Sequence, residues 1–106
     1  MDTIELYDDD DYVVEAVLDG KLFHLHMSWN STLKYWTMEI QDYTRKPILS
    51  GIRVLPNTPL IGRYISENTP QGEFLVLSDS ETIAKSDFAD GYAEMIYASW
   101  EEINAK

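Results

Sequence analysis

The sequence contains no cysteine, only five glycines and four prolines among 106 residues, and few basic side chains. Without cysteine the chain can form neither disulfides nor sites that depend on a thiolate. Eight Lys and Arg stand against 19 Asp and Glu, which gives a formal net charge of −11. Because such a surface repels phosphates and anionic lipids, we expect no direct binding of nucleic acid or membranes.

Long apolar runs are also missing. No segment approaches the roughly 20 apolar residues that cross a bilayer, and the opening MDTIELYDDDDY lacks the basic and apolar regions of a signal peptide. We therefore expect a soluble protein that is made in the cytoplasm. Apolar residues make up 44% of the chain, enough for one core. We predict an acidic segment at 1–11, a single domain at 12–100 and a short tail at 101–106.

A β-hairpin is the clearest local prediction. Asp19-Gly20 is a strong two-residue turn signal, and apolar residues alternate with others on both sides of it. With Leu18 opposite Lys21, the bulky apolar residues share one face and Glu15 faces His24 on the other. The predicted inward pairs are Ala16 with Phe23, Val14 with Leu25, and Tyr12 with Met27.

The rest of the chain predicts an all-β fold. Further strands are expected at 22–29, 35–42, 47–55, 74–77 and 92–100, with a bulge or bend at Gly51 and Pro47 at a strand start. Residues 59–65 in the long 56–72 connection predict one short helical turn. We expect a small antiparallel β-barrel or a strongly curved meander sheet, closed by the last strand.

The run Asp8–Asp11 can be interpreted in three ways. Adjacent carboxylates repel one another and favour an extended, hydrated segment. The run could also contact a basic partner or dock onto the domain. Carboxylates suit Ca²⁺, but the run lacks the glycine turn and distal Glu that fold a loop around that ion, so we predict no metal site there.

Two histidines raise the question of chemistry. His24 and His26 project to one face of a strand, where Glu15, Glu39 or Gln41 could complete a metal site. The simpler interpretation is a polar solvent face with Glu15 and His24 paired across the hairpin. No nucleophile elbow, phosphate-binding glycine loop or singled-out carboxylate pair is present. We therefore predict no catalytic, cofactor-binding or metal-binding residues, and no enzyme.

Three segments together resemble a known protein family: LDGKLFHLHMSWNSTLKYWTMEIQD, GIRVLPNTPLIGRYI and PQGEFLVLSD. The family is that of the small baseplate plug proteins of contractile-tailed bacteriophages, the cyanophage type included. The resemblance covers about residues 13–79 and is carried mainly by turn and core residues. The matching positions are Asp19, Gly20, Trp29, Asn30, Trp36, Ile40, Asp42, Gly51, Ile52, Pro59, Leu60, Tyr64, Pro70 and Gly72.

This resemblance implies a structural virion protein of the tail baseplate, made in the host cytoplasm. Such a plug would lie near the junction of tube and hub and contact hub, tube or tape-measure protein. A homo-oligomer on the tail axis is a further option. We expect the partner interface at Pro56, Leu60, Ile61 and Tyr64 and at unpaired strand edges, which invite β-augmentation.

The alternative from another functional class is an acidic protein that mimics DNA and inhibits a DNA-binding enzyme. The charge of −11 and the Asp run favour it. The acids, however, do not recur at the regular spacing that a phosphate mimic needs. A metal-dependent enzyme built on His24 and His26 is a third and weaker hypothesis.

Overall fold

A computed structural model describes residues 2–7, 9–62 and 68–104 of the chain. Within them lie seven strands and two short helices. In chain order these are β1 (Asp2–Ile4), β2 (Asp11–Leu18), β3 (Lys21–Asn30), β4 (Tyr35–Gln41), β5 (Pro47–Arg53), β6 (Glu73–Ser78), α1 (Asp87–Asp90), β7 (Ala93–Ala98) and α2 (Trp100–Asn104).

The predicted hairpin is confirmed in its turn and in its register. Asp19 and Gly20 both have positive φ, 53° and 79°, as the twist of a two-residue hairpin requires. Leu18 pairs with Lys21 and Glu15 with His24. The three predicted inward pairs occur as expected, Ala16 with Phe23, Val14 with Leu25 and Tyr12 with Met27.

The first sheet has the order β2-β3-β4-β5, all antiparallel. On β4 the inward side chains of Trp36, Met38 and Ile40 are almost fully buried. The predicted bulge is confirmed at Gly51, which has a φ of 70°. There Met38 pairs with Ile52 but Ile40 pairs with Leu49, so β5 contains one extra residue between these two pairs. Pro47 begins β5, as expected.

The second sheet corrects one expectation and adds one strand that was not predicted. Its order is β1-β7-β6, so the last strand builds a separate sheet and does not close the first one. The predicted acidic segment 1–11 contains β1, which pairs with β7 through Thr3–Ile96 and Ile4–Met95. The reason is burial: Ile4 joins the core, and the apolar area removed from water outweighs the polarity of its neighbours.

Side chains from both sheets form one hydrophobic core. Trp36 lies at its centre, edge-on to Trp29, Tyr12 and Phe88, with ring centroids 5.5 to 6.3 Å apart. Phe74 of β6 and Tyr97 of β7 form a second ring pair, 5.0 Å apart. The described residues therefore form a two-sheet β fold around one core, and they do not form a closed barrel.

The helical predictions hold only in part. Residues 63–65 of the turn expected at 59–65 lie outside the described residues, and Leu60 and Ile61 form bends. Helices form instead at α1 and α2. In α2 the Glu102 N–H donates to Ser99 Oγ and the Ser99 N–H to Glu102 Oε1, each 3.2 Å. This reciprocal cap starts a helix at Trp100, the last residue of the strand predicted at 92–100, and the helix continues into the predicted short tail.

Candidate functional site

The long connection after β5, where we expected a partner interface, is anchored to the second sheet. The N–H groups of Ile61 and Gly62 donate to the two carboxylate oxygens of Glu73, at 2.8 and 2.7 Å. Upstream, the Asn57 N–H donates to the Val76 carbonyl at 2.7 Å, beside a parallel bridge between Pro56 and Val76. Residues 56–62 of the loop are thus held against the second sheet.

The four expected interface residues have different environments. Leu60 and Ile61 are only 8% and 1% exposed and belong to the core. Pro56 is half-buried, and Tyr64 lies outside the described residues. The interface at these positions stays a prediction. The apolar surface that the loop offers comes from neighbouring residues, chiefly Leu55, which is 40% exposed.

A shallow groove runs between β5 and this loop. It encloses about 490 Å³ and is lined by Leu49, Ile52, Leu55, Pro59 and Leu60, among others. Because β5 is an edge strand of its sheet, the groove combines unpaired backbone with apolar side chains. That combination suits an extended peptide segment of another protein.

A wider groove of about 910 Å³ lies at one end of the first sheet. It joins the start of β3 to the β4–β5 turn and is lined by Leu22, Tyr43 and Ile48 together with Lys21 and Lys46. Tyr43 and Leu22 are both exposed. The groove offers apolar contact area flanked by two cations in an otherwise acidic protein.

Each histidine forms a hydrogen bond that links β3 to another segment of the first sheet. The His24 Nδ1–H donates to the Asp42 carbonyl at 3.0 Å, and its Nε2 lies 3.7 Å from Glu15. The predicted Glu15–His24 pairing is thus seen. His26 donates from Nε2 to Asp11 at 2.5 Å. Among the described residues, no three His, Asp or Glu side chains converge as a metal site would require.

The described part of the Asp run docks onto the domain. Asp10 forms an ion pair with Lys85 at 2.6 Å, and its carbonyl accepts the Trp29 N–H at 2.7 Å. Asp11 accepts from His26 and from the Ser28 hydroxyl, and these bonds hold its pKa below the usual range, the His26 bond most strongly. Asp8 is outside the described residues. A freely hydrated tail is therefore the wrong interpretation for Asp10 and Asp11.

Other acids also serve the fold. Asp42 accepts from the N–H groups of Thr44 and Lys46, at 2.8 and 3.0 Å, and from the Thr44 hydroxyl, which contributes most to lowering its pKa. Glu39 accepts from Gln41 and Ser50, and both bonds lower its pKa. Carboxylates turned to internal donors do not form the regular outward array of a DNA mimic.

The contact that sequence reasoning missed joins the two sheets. The Tyr97 hydroxyl donates to Asp19 Oδ2 at 2.5 Å and accepts the Gly72 N–H at 2.7 Å. Asp19 Oδ1 also accepts the Trp100 N–H at 3.3 Å. No local signal links residues so far apart in sequence. By contrast, the Ser-x-x-Glu pattern at Ser99–Glu102 could have revealed α2.

Comparison with known proteins gives one family. The family model described as "Cyanophage baseplate Pam3 plug gp18" matches residues 1–101. No curated protein matches the chain. In the part of the chain that the structure describes, no helix is both long and apolar enough to cross a membrane.

Proposed function

The chain belongs to the cyanophage baseplate plug family, and on that premise we propose that it acts as a structural plug or adaptor near the junction of tail tube and hub. Family membership gives it a role in the baseplate of the phage virion, among other tail proteins. Our proposal adds the position near the tail axis, synthesis in the host cytoplasm, and hub, tube or tape-measure protein as neighbours.

Family membership is the observation that carries this proposal, and the polar side chains described above support a structural role. Asp42, Glu39 and both histidines bond to neighbouring groups of the same sheet. Side chains engaged in this way hold turns and strands in place. We propose that the protein performs no catalysis.

We propose that partners contact the 56–72 loop and the edge strands. Pro56, Leu60, Ile61 and Tyr64 remain our expected interface positions. Since Leu60 and Ile61 pack in the core, their role there is to support the exposed part of the loop, and Leu55 and Pro59 supply direct contact area. The groove beside β5 continues this surface. A homo-oligomer around the tail axis would use the same kind of surface.

The charge fits a position near the DNA channel. A net charge of −11 repels the phosphates of passing DNA, so DNA can move along the surface without adhering to it.

Mass spectrometry of purified tail particles tests the location, and binding of the purified chain to hub, tube and tape-measure proteins tests the partners. We expect the chain in tails and binding to at least one of the three. Leu55→Asp should weaken that binding at least about tenfold, which corresponds to about 1.4 kcal/mol.

Leu33→Asp is the control, because Leu33 is also an exposed leucine but lies in the turn between β3 and β4, on neither the 56–72 loop nor an edge strand. It should leave the binding unchanged. Absence of the chain from tail particles, together with no binding to any of the three proteins, would refute the proposed function.

A further inference from the structure

The two sheets are joined along one side and open along the other. On the joined side, the segment after β5 bridges to β6 through Pro56 and Val76. On the other side, β2 ends the first sheet and β1 ends the second. Among the described residues, no strand pairs with the outer edge of β2. We call the space between β1 and β2 the open seam.

The open seam is a groove of about 510 Å³, lined by residues 13–18 of β2 and by Thr3, Ile4, Glu5 and Tyr7. One wall belongs to β2, and Thr3 and Ile4 of the other belong to β1. A strand added to the outer edge of β2 would lie in this groove and continue the first sheet towards the second.

The backbone of β2 is oriented for such an addition. In a two-residue hairpin the residues that flank the turn, here Leu18 and Lys21, form a hydrogen-bonded pair, and such pairs alternate along the strands. Ala16 and Val14 therefore bond to β3. The N–H and C=O groups of Val13, Glu15 and Val17 then point into the open seam.

The side chains of β2 do little to protect this edge. Natural edge strands are commonly blunted by Lys, Pro or bulges. The strand DYVVEAVL contains no Lys and no Pro, its register with β3 is unbroken, and Val17 is 65% exposed. An edge of this kind readily accepts another strand.

Charge decides between a second copy and another protein. Glu5 and Glu15 are both exposed and both line the seam. If β2 of a second copy paired antiparallel with β2 about Glu15, this residue would face its own equivalent, and like charges directly opposite are destabilising. A strand with Lys or Arg at that position gains an opposite-charge pair instead.

We infer that the open seam receives an extended, basic segment of a neighbouring protein, which adds to the edge of β2 as a new strand. The backbone groups of Val13, Glu15 and Val17 bind its main chain, and Glu5 and Glu15 select its positive charge. The inference rests on the proposed function, in which partners contact the edge strands, and it names the edge and the chemistry of the partner segment.

Binding of two capped seven-residue peptides to the full chain tests the inference. One peptide alternates valine with lysine and threonine, and in the other every lysine is replaced by glutamate. We expect the lysine peptide to bind about tenfold more tightly or better, equivalent to about 1.4 kcal/mol. On binding, the amides of Val13, Glu15 and Val17 should become protected from hydrogen exchange, whereas those of Val14 and Ala16 should change little.

Three variants sharpen the test. Val17→Pro removes an N–H that points into the seam while sparing the bonds to β3, so it should weaken binding at least about fivefold through the lost hydrogen bond. Ala16→Pro is its control for fold damage, since it removes an N–H that bonds to β3 and should lower the unfolding midpoint strongly. Glu15→Lys should abolish the preference for the lysine peptide while the chain stays folded.

Equal binding of both peptides, binding that Val17→Pro leaves unchanged, or no binding at all would overturn the inference. A dimer of the free chain that Val17→Pro dissociates would overturn it too, because a second copy would then be the occupant. These experiments use the purified chain. A negative result in them would overturn only the inference, whereas absence of the chain from tail particles would count against the proposed function.

Discussion

Asp19 has two tasks that involve different parts of the residue. Its backbone adopts a positive φ of 53° in the β2–β3 turn, a conformation that Asp and Asn tolerate better than most residues. Its carboxylate accepts hydrogen bonds from Tyr97 and Trp100. One residue therefore forms part of a turn in the first sheet through its backbone and links that turn to the last strand of the second sheet through its carboxylate.

We expect the two tasks to separate on mutation. Asp19→Asn keeps the turn and a side-chain acceptor but loses the charge, and should lower the free energy of unfolding by about 1 kcal/mol. Asp19→Ala also places a poor residue at positive φ, and should lower it by about 2 to 3 kcal/mol. Urea unfolding at neutral pH measures both. Equal losses in the two variants would contradict this division.

Tyr97 gives the fold a sensitivity to alkaline pH. Burial, and then its hydrogen bond to Asp19, raise the pKa of the Tyr97 hydroxyl well above the ordinary value. In the unfolded chain a tyrosine titrates near pH 10. Because the folded state favours the protonated form, its contribution to stability is complete below about pH 10 and is lost as the pH rises further.

Tyr97→Phe isolates this effect. The variant leaves the buried Gly72 N–H without its acceptor and should lower the free energy of unfolding by about 1 to 3 kcal/mol at pH 7. The difference from the parent chain should shrink as the pH rises above about 10. Urea unfolding from pH 7 to 11 measures it. Tyr92→Phe, at a highly exposed tyrosine, is the control and should show no such difference, and a gap that stays constant with pH would contradict the prediction.

At the scale of elements, two glycines are needed for different reasons. Gly51 has a φ of 70° at the β5 bulge, and a Cβ there would meet nothing within 4 Å. Gly72 needs space, because a Cβ would fall 2.0 Å from the Ala98 carbonyl oxygen and 2.6 Å from the Tyr97 hydroxyl. The first glycine is required by its dihedral angle and the second by its close neighbours.

Substitutions should reflect that difference. Gly51→Ala should lower the free energy of unfolding by about 1 to 2 kcal/mol, the strain of a left-handed residue, and Gly51→Asn by less, since Asn tolerates that region. Gly72→Ala should lower the free energy of unfolding more than Gly51→Ala does, and Gly72→Asn should lower it further still. Thermal or urea unfolding gives the order, and the same ranking of Ala and Asn at both positions would be inconsistent with this explanation.

How well each element could be predicted depended on how local its signals are. The β2–β3 hairpin was predicted in register because the Asp19-Gly20 turn and the apolar alternation specify it independently. The bulge followed from Gly51 alone. Strand β1 was missed because its three residues show no pattern of their own and pair only with distant β7. Helix α2 was missed although its Ser99–Glu102 cap is a local signal.

At the scale of the whole molecule, like charge opposes folding. A chain with a net charge of −11 repels itself when compact, and salt screens that repulsion. Raising NaCl from about 20 to about 200 mM should therefore increase the unfolding midpoint. Differential scanning calorimetry at pH 7 measures the change. A decrease would mean that local pairs such as Asp10–Lys85 outweigh the overall repulsion.

The sequence by itself determined the β class, the register of the first hairpin, the bulge and the resemblance to baseplate plug proteins, which the family match over residues 1–101 confirmed. These properties depend on turn chemistry and on alternation within short segments. The tertiary structure alone decided that there are two sheets, that Leu60 and Ile61 belong to the core, and that Asp19 bonds to Tyr97. Those outcomes depend on which distant segments bury apolar area together, and nothing in a local pattern specifies that choice.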